Sequence, residues 1–189
     1  MKDKSIVVLA APGFEEVELV APVDILRRLG VKVTLAGLEG LTVKGAHDIT
    51  LRADMLLVDV VAAEFDGVML PGGPAAWTLR DTPAVLALVR EMHREGKLVS
   101  AICAAPIALE AAGVLKGLGV TCYPADDVVN AITSAKKICE TKVAVDGHVI
   151  TGRGPAAALD FGYALGEYLC GADKVTALKK EMCYKESAV

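Results

Sequence analysis

The sequence lacks the residue spacings that mark several common kinds of functional site. Its 5 cysteines and 3 histidines show no metal-ligand pattern, so we expect no bound metal. Neither a Walker A sequence nor Gly-x-Gly-x-x-Gly follows the first apolar segment, so nothing indicates nucleotide binding. Internal repeats and low-complexity tracts are also absent. We therefore expect chemistry that side chains perform alone, without a cofactor.

An excess of positive charge and a long apolar run are missing too. The formal net charge of -4 at pH 7 gives no reason to expect nucleic acid or an anionic membrane as a partner. Pro12, Gly13 and two glutamates end the first apolar run too early for a signal peptide or a membrane span. An odd number of cysteines without a disulfide framework is typical of a reducing compartment. The expected location is the cytoplasm.

What the sequence does contain is an alternation of strand and helix patterns. The apolar run Ser5–Ala10 predicts a buried strand, and residues 15–29 predict a helix that Gly30 ends. Residues 31–36 predict a second strand, which completes a strand, helix and strand unit of a parallel sheet. We predict an α/β fold over residues 1–189 as one domain: a flavodoxin-like three-layer sandwich with a mostly parallel central sheet and helices on both faces.

Irregular stretches interrupt this alternation. Residues 41–55 predict short antiparallel strands beside the sheet, and residues 138–151 predict a hairpin that turns at Asp146-Gly147. Residues 120–123 predict a further short strand. The last residues, from Tyr184 to Val189, are expected to fray.

Cys103 stands where a strand pattern gives way to a helix pattern. Residues 98–102 predict a buried parallel strand, and the alanine-rich residues 104–112 predict a helix. Small residues on both sides permit the sharp reversal of a nucleophile elbow, and the helix start directs free amides at the sulfur. Such a thiol is expected to have a lowered pKa and to react as the thiolate. The alternative is an ordinary buried cysteine.

Two more stretches bear on this choice. Gly72 and Gly73 follow an apolar strand in a Pro-Gly-Gly-Pro turn, whose amides can stabilise an oxyanion, although an isolated turn of this kind is usually only a turn. Glu18 lies on an otherwise apolar side of the first helix, so we expect its carboxyl to be partly protonated. Glu15 and Glu16, in contrast, fit the ordinary preference for acidic residues in a first helical turn.

Together these stretches resemble the DJ-1/ThiJ/PfpI superfamily, and within it the DJ-1 branch, over essentially the whole chain. The matching segments are residues 7–10, 13–18, 22–28, 70–73, 101–106 and 151–155. The resemblance implies that Cys103 is the reactive cysteine and that Glu18 is the acid hydrogen-bonded to it. It also implies an anion pocket lined by Gly72, Gly73 and Ala104, further pocket residues at Glu15, Tyr123, Arg153, Gly154 and Pro155, and a homodimer whose contact region includes Arg27, Arg28 and His47.

The sequence departs from the family pattern at two positions. Many relatives carry a histidine where Tyr123 stands, and a tyrosine, with a usual pKa of about 10, is a hydrogen-bond donor rather than a proton shuttle. Ala104 follows the cysteine directly, where protease-like branches carry histidine or glycine-rich alternatives. His93 and His148 do not replace that partner, so we expect no peptidase.

Two functions remain open. The first is a glyoxalase or deglycase acting on methylglyoxal-like dicarbonyls or early glycation adducts, with Cys103 as nucleophile and Glu18 as acid and base. The second is a redox-sensing protein of the oxidative-stress response, with or without chaperone-like activity, in which Cys103 is oxidised to a sulfinate. A reactive cysteine serves both, and we favour the enzyme.

Overall fold

The computed structural model describes residues 3–185. Its strands are β1 (Ser5–Ala10), β2 (Lys32–Gly37), β3 (Thr42–Lys44), β4 (Thr50–Arg52), β5 (Met55–Leu56), β6 (Gly67–Leu70), β7 (Leu98–Ile102), β8 (Gly119–Val120), β9 (Lys137–Ile138), β10 (Val143–Asp146) and β11 (Val149–Gly152). Its α-helices are α1 (Glu16–Arg28), α2 (Ala75–Asp81), α3 (Pro83–Arg94), α4 (Pro106–Ala111), α5 (Asp126–Ala131), α6 (Ala158–Cys170) and α7 (Ala172–Glu181). Short 3-10 turns lie at Leu57–Asp59, Ala62–Glu64 and Pro155–Ala157.

Seven strands form the central sheet, in the order β10-β11-β7-β6-β1-β2-β5. All neighbouring pairs are parallel except β10 and β11. Every residue of β6 and β7 is buried, which explains why their sequences are apolar apart from Ser100, whose hydroxyl donates to the Val68 carbonyl at 2.9 Å. With helices packed around it, this sheet is the flavodoxin-like α/β fold that the sequence predicts. The carboxyl ends of β6 and β7 lie side by side, where such folds bind ligands.

Both predicted hairpins are confirmed. Strands β3 and β4 pair antiparallel outside the main sheet, and β10 pairs antiparallel with β11 at its edge. The first hairpin is fastened to α1 by Glu16, whose Oε1 accepts a hydrogen bond from the backbone N–H of His47 at 2.7 Å. No helix of residues 3–185 is long and apolar enough to cross a membrane.

The structure differs from the sequence prediction in several elements. Helices α2 and α5 were not predicted, and the strand expected at residues 120–123 is only β8, which pairs with β9 apart from the main sheet. The helix expected at residue 104 begins at Pro106, because Cys103 to Ala105 form a turn closed by the Ala105 N–H on the Ile102 carbonyl. Tyr184 is not frayed, since its ring packs against Tyr163 with centroids 4.8 Å apart. Residues 186–189 of that segment lie outside the described residues.

Candidate active site

Cys103 occupies the turn between β7 and α4 with a left-handed backbone. Its φ is 66°, a conformation that costs a residue with a side chain about 1–3 kcal/mol. Two hydrogen bonds hold it there: the Cys103 N–H donates to the Gly152 carbonyl at 2.9 Å, and the Cys103 carbonyl accepts from the Tyr123 N–H at 2.8 Å. The predicted nucleophile elbow is therefore present, and the residue is 7% exposed.

Glu18 lies beside this elbow in the first turn of α1, with no exposed surface. Its Oε2 accepts a hydrogen bond from the Gly72 N–H at 3.0 Å. Its Oε1 has no conventional hydrogen-bond partner among residues 3–185, and the Cys103 thiol is the side chain with which the carboxyl interacts. Burial raises the pKa of Glu18 to about 7, against the opposing effects of Cys103 and Gly72. The expected partly protonated carboxyl agrees with this environment.

The thiol does not have the low pKa expected from the sequence. Burial raises the pKa of Cys103 well above its usual range, and the negative charge of an ionised Glu18 raises it further. The backbone N–H groups of Ala104 and Gly73 favour the thiolate, but their effect is smaller. The local argument from the helix start was wrong because it left out the desolvation of the sulfur.

Cys103 and Glu18 are best described as one titrating pair. Loss of the first proton near pH 7 leaves a single proton for both groups. When that proton stays on the carboxyl, the charge that raises the pKa of the thiol is absent and the sulfur carries the negative charge. Protonation of Glu18 therefore favours the Cys103 thiolate, because it removes the negative charge that opposes ionisation of the thiol.

Two of the three expected anion-pocket residues face the sulfur. The Gly73 and Ala104 N–H groups point at Cys103, and neither donates to a backbone carbonyl within the described part of the chain. Gly72 has a different role, since its N–H is donated to Glu18. A Cβ at Gly72 would lie 2.5 Å from Glu18 Oε2 and 2.7 Å from Cys103 Cβ. The contact between Glu18 and Cys103 therefore requires a residue without a side chain at position 72.

A cavity of about 380 Å³ opens above the sulfur. It is lined by Glu15, Gly73, Pro74, Trp77, Cys103, Ala104, Tyr123, Ala125, Asp127, Val128 and Pro155. Of the further pocket residues expected from the sequence, Glu15, Tyr123 and Pro155 belong to this lining, whereas Arg153 and Gly154 line an adjoining cavity. Sequence reasoning missed Trp77 and Asp127 because they lie on α2 and α5. The chain's single tryptophan, four residues after the Gly-Gly turn, was the available signal.

Comparison with known proteins shows the family to which this chain belongs. The profile of the DJ-1/PfpI family matches residues 4–167. The chain belongs to the DJ-1/PfpI family. Protein dj-1beta of Drosophila melanogaster is 38% identical over 179 residues, which cover 94% of this chain and 95% of that protein. Deglycase PH1704 of Pyrococcus horikoshii is 37% identical over 150 residues, which cover 78% of this chain and 89% of that protein.

Solved structures of DJ-1 proteins share the fold. The crystal structure of Drosophila melanogaster DJ-1beta matches with a TM-score of 0.91 at 37% identity, over 97% of this chain and 100% of that chain. An oxidized Toxoplasma gondii DJ-1 matches with a TM-score of 0.88 at 29% identity, over 97% of this chain and 100% of that chain.

The residues expected at a DJ-1-type dimer contact have partners within this chain. Arg28 pairs with Asp24 at 2.8 Å, and Arg27 donates to the Val33 carbonyl at 3.2 Å. His47 Nδ1 lies 2.9 Å from Glu16 Oε2 and 3.5 Å from Glu15 Oε2. Glu15, Glu16 and His47 each offer one atom that could bind a metal ion, and these atoms lie within 4.8 Å of one another. The spacing of the three residues in the sequence does not reveal this cluster. Hydrogen bonds from His47 already satisfy Glu16, so no ion is needed to explain the cluster.

Proposed function

We propose that this protein is a cysteine-dependent, cofactor-independent enzyme of the glyoxalase or deglycase type. The observation that carries the proposal is the contact between a strained, nearly buried Cys103 and a Glu18 carboxyl whose pKa is about 7. The candidate nucleophile and oxyanion donors line one cavity, and the candidate acid contacts the nucleophile, which supports carbonyl addition at this place. The name of the Pyrococcus relative, a deglycase, supports an enzyme role in the family.

The first step on methylglyoxal is addition of the Cys103 thiolate to the aldehyde carbon. A carbon–sulfur bond forms, the carbonyl π electrons move to oxygen, and Glu18 gives its proton to that oxygen. The product is a hemithioacetal. The N–H groups of Gly73 and Ala104 stabilise the negative charge while it lies on sulfur or oxygen.

An internal redox step then follows without an external oxidant. The Glu18 carboxylate takes the proton from the former aldehyde carbon, and an enediolate forms with its negative charge on the neighbouring oxygen. Glu18 returns this proton to the neighbouring carbon, the hydroxyl proton of the first carbon passes to the charged oxygen, and a lactoyl thioester results, so one carbon is oxidised as the other is reduced. Water cleaves the thioester to lactate and regenerates the thiol. In an early glycation adduct, the thiolate instead displaces the modified amine or thiol: a carbon–sulfur bond to Cys103 forms, the bond from that carbon to the amine nitrogen or thiol sulfur breaks, and the leaving group takes the Glu18 proton.

Tyr123 replaces the histidine of many relatives at the rim of this cavity, where its side chain is 44% exposed. A phenol donates a hydrogen bond to a carbonyl but does not shuttle protons near neutral pH. In this proposal Tyr123 orients the substrate, and Glu18 makes the proton transfers to and from carbon.

Lactate formation from methylglyoxal without glutathione tests the proposal. We expect Cys103→Ser to abolish turnover and Glu18→Gln to reduce kcat/KM by about 10²-fold or more, because general acid–base catalysis contributes about 10²–10⁴-fold. Cys183→Ser and Glu39→Gln, at exposed positions away from the site, serve as matched controls and should keep wild-type rates. Turnover that survives Cys103→Ser would reject the proposal.

The second candidate is redox sensing at the same cysteine. The unpartnered Glu18 Oε1 beside Cys103 favours it, because a protonated carboxyl there can donate to a sulfinate oxygen. Hydrogen peroxide is the oxidant: the thiolate attacks one peroxide oxygen, the O–O bond breaks and water leaves. A second peroxide converts the sulfenate to the sulfinate. The solved structure of the Toxoplasma gondii relative is that of an oxidized protein, which supports this second candidate.

Mild peroxide distinguishes the two candidates when it is combined with the lactate assay. Selective oxidation of Cys103, measured by mass spectrometry, with turnover no higher than in Cys103→Ser would support the sensor. Robust turnover supports the enzyme whether or not the cysteine oxidises. Glu18→Gln should slow the second oxidation step if the carboxyl stabilises the sulfinate.

We also propose a homodimer formed through an apolar face on α1 and its neighbours. The face consists of Val17, Val20, Ile49 and Leu159, which are 40–58% exposed, and it lies beside the Glu16–His47 contact. A second copy of the chain that covers this face buries it from water. We further propose a cytoplasmic location, which the odd number of cysteines supports.

A further inference from the structure

A second cavity, of about 230 Å³, adjoins the one above Cys103. Its lining consists of Tyr123, Pro124, Lys142, Arg153, Gly154, Pro155, Ala156 and Ala157. Tyr123 and Pro155 line both cavities, so they form the boundary between the two. A molecule bonded to the sulfur and longer than a three-carbon dicarbonyl therefore has this second cavity next to it.

Backbone contacts fix the second cavity relative to the sulfur. The Tyr123 N–H donates to the Cys103 carbonyl at 2.8 Å, which ties the boundary residue to the elbow. The Tyr123 ring lies over Gly154, where a Cβ would come within 3.4 Å of it. The Arg153 N–H donates to the Lys142 carbonyl at 2.9 Å, which joins the two cationic residues of the lining.

The two cavities differ in charge. Among residues 3–185, the cavity above Cys103 is lined by two acidic residues, Glu15 and Asp127, and by no basic residue. The second cavity is lined by Lys142 and Arg153 and by no acidic residue of the same part of the chain. An anionic group near Cys103 is therefore repelled from one side and attracted to the other.

Arg153 is the less compensated of the two cations. Lys142 pairs with Asp160 at 3.2 Å. Arg153 donates to the Cys139 carbonyl at 3.3 Å but forms no ion pair within residues 3–185, although it is only partly exposed. A guanidinium that is held by one carbonyl keeps further N–H donors for an incoming anion.

We propose that the second cavity is a subsite for an anionic group of the substrate, separated by a short apolar chain from the carbon that Cys103 attacks. The inference rests on the proposed function of Cys103 and adds a substrate class to it: dicarbonyls or glycation adducts that carry a carboxylate or phosphate. The apolar spacer packs on Pro124, Ala156 and Ala157, and Arg153 binds the anion with support from Lys142.

The test compares two substrates that differ only in charge: a six-carbon 2-oxoaldehyde ending in a carboxylate, and the same compound ending in a carboxamide. We expect wild-type kcat/KM to favour the carboxylate by about fivefold, as one partly screened charge interaction predicts. Arg153→Gln, which keeps a donor for the Cys139 carbonyl, should bring the ratio near one, and Arg153→Lys should retain most of it. Arg90→Gln makes the same charge change at an exposed position on α3 and should leave the ratio unchanged.

The outcomes separate the subsite from the proposed function. Turnover of both substrates without preference, or a preference that survives Arg153→Gln, overturns the subsite and leaves the enzyme intact. If the protein turns over neither substrate, that result counts against the proposed enzyme. A measurement that needs no catalysis then tests whether the subsite exists.

That measurement uses two methanethiosulfonates, one carrying an anionic sulfonatoethyl group and one a cationic trimethylammonioethyl group. The Cys103 thiolate attacks the sulfenyl sulfur, a mixed disulfide forms, and methanesulfinate leaves. Labelling rates at Cys103 are measured by mass spectrometry. The anion-to-cation rate ratio should fall by about fivefold in Arg153→Gln and stay unchanged in Arg90→Gln. Equal ratios in wild type and Arg153→Gln reject the subsite.

Discussion

Glu18 is a carboxyl group that the fold removes from water without giving it an opposite charge. Its neighbours in the described structure are the Gly72 N–H and the Cys103 thiol. A buried carboxylate without a cation is costly, so the folded protein retains the proton to a higher pH than the unfolded chain does. The acid of the proposed reaction is thus maintained at some cost in stability.

This cost predicts how stability changes with pH. Between the usual Glu pKa of 4.5 and the folded value of about 7, the folded state binds the extra proton, so the free energy of unfolding falls as pH rises. The predicted loss from Glu18 is about 3 kcal/mol over that range and is complete above pH 7. Urea unfolding of wild type and Glu18→Gln between pH 4.5 and 8 measures it. The stability of wild type relative to Glu18→Gln should decline by this amount, whereas Glu39→Gln should follow wild type. Parallel pH profiles for wild type and Glu18→Gln would contradict the raised pKa.

At the scale of elements, the site depends on how closely the turn after β6 approaches α1 and the elbow. Gly72 lies between Glu18 and Cys103, with less space on either side than a methyl group needs. We expect Gly72→Ala to separate the pair, to destabilise the fold by about 1–3 kcal/mol and to lower kcat/KM by at least about tenfold. Gly40→Ala is the matched control, because a Cβ there would have no atom of the described chain within 4 Å. Thermal unfolding and the lactate assay provide the two readouts, and wild-type behaviour of Gly72→Ala would contradict this account of the turn.

The sequence predicted those elements that its own pattern specifies. Apolar runs revealed β1, β6 and β7, and family resemblance paired Cys103 with Glu18. Helices α2 and α5 have 7 and 6 residues, which is too few for a helix to be stable without tertiary packing. The local sequence therefore did not predict them. The role of Glu16 depends on His47, 31 residues away, and the raised pKa of Cys103 depends on burial by several elements. Long-range contacts of this kind have no local signature.

At the scale of the molecule, the apolar face of Val17, Val20, Ile49 and Leu159 is where we place the second copy. Val20 is 52% exposed on this face. Val20→Asp should bring a charge into the contact and shift the protein from dimer to monomer in sedimentation velocity at micromolar concentration. Val58→Asp changes a valine that is 83% exposed elsewhere and should leave the dimer intact. A monomeric wild-type protein would refute the proposed contact.

The backbone of Cys103 is bonded to β11 on one side and to Tyr123 on the other. These two hydrogen bonds therefore oppose a change of its left-handed torsion when the sulfur gains or loses a substituent. The strain is incurred once, when the chain folds, and the same conformation is present before and after each covalent event at the sulfur. In the proposed reaction, the nucleophile then needs no change of backbone conformation between one covalent event and the next.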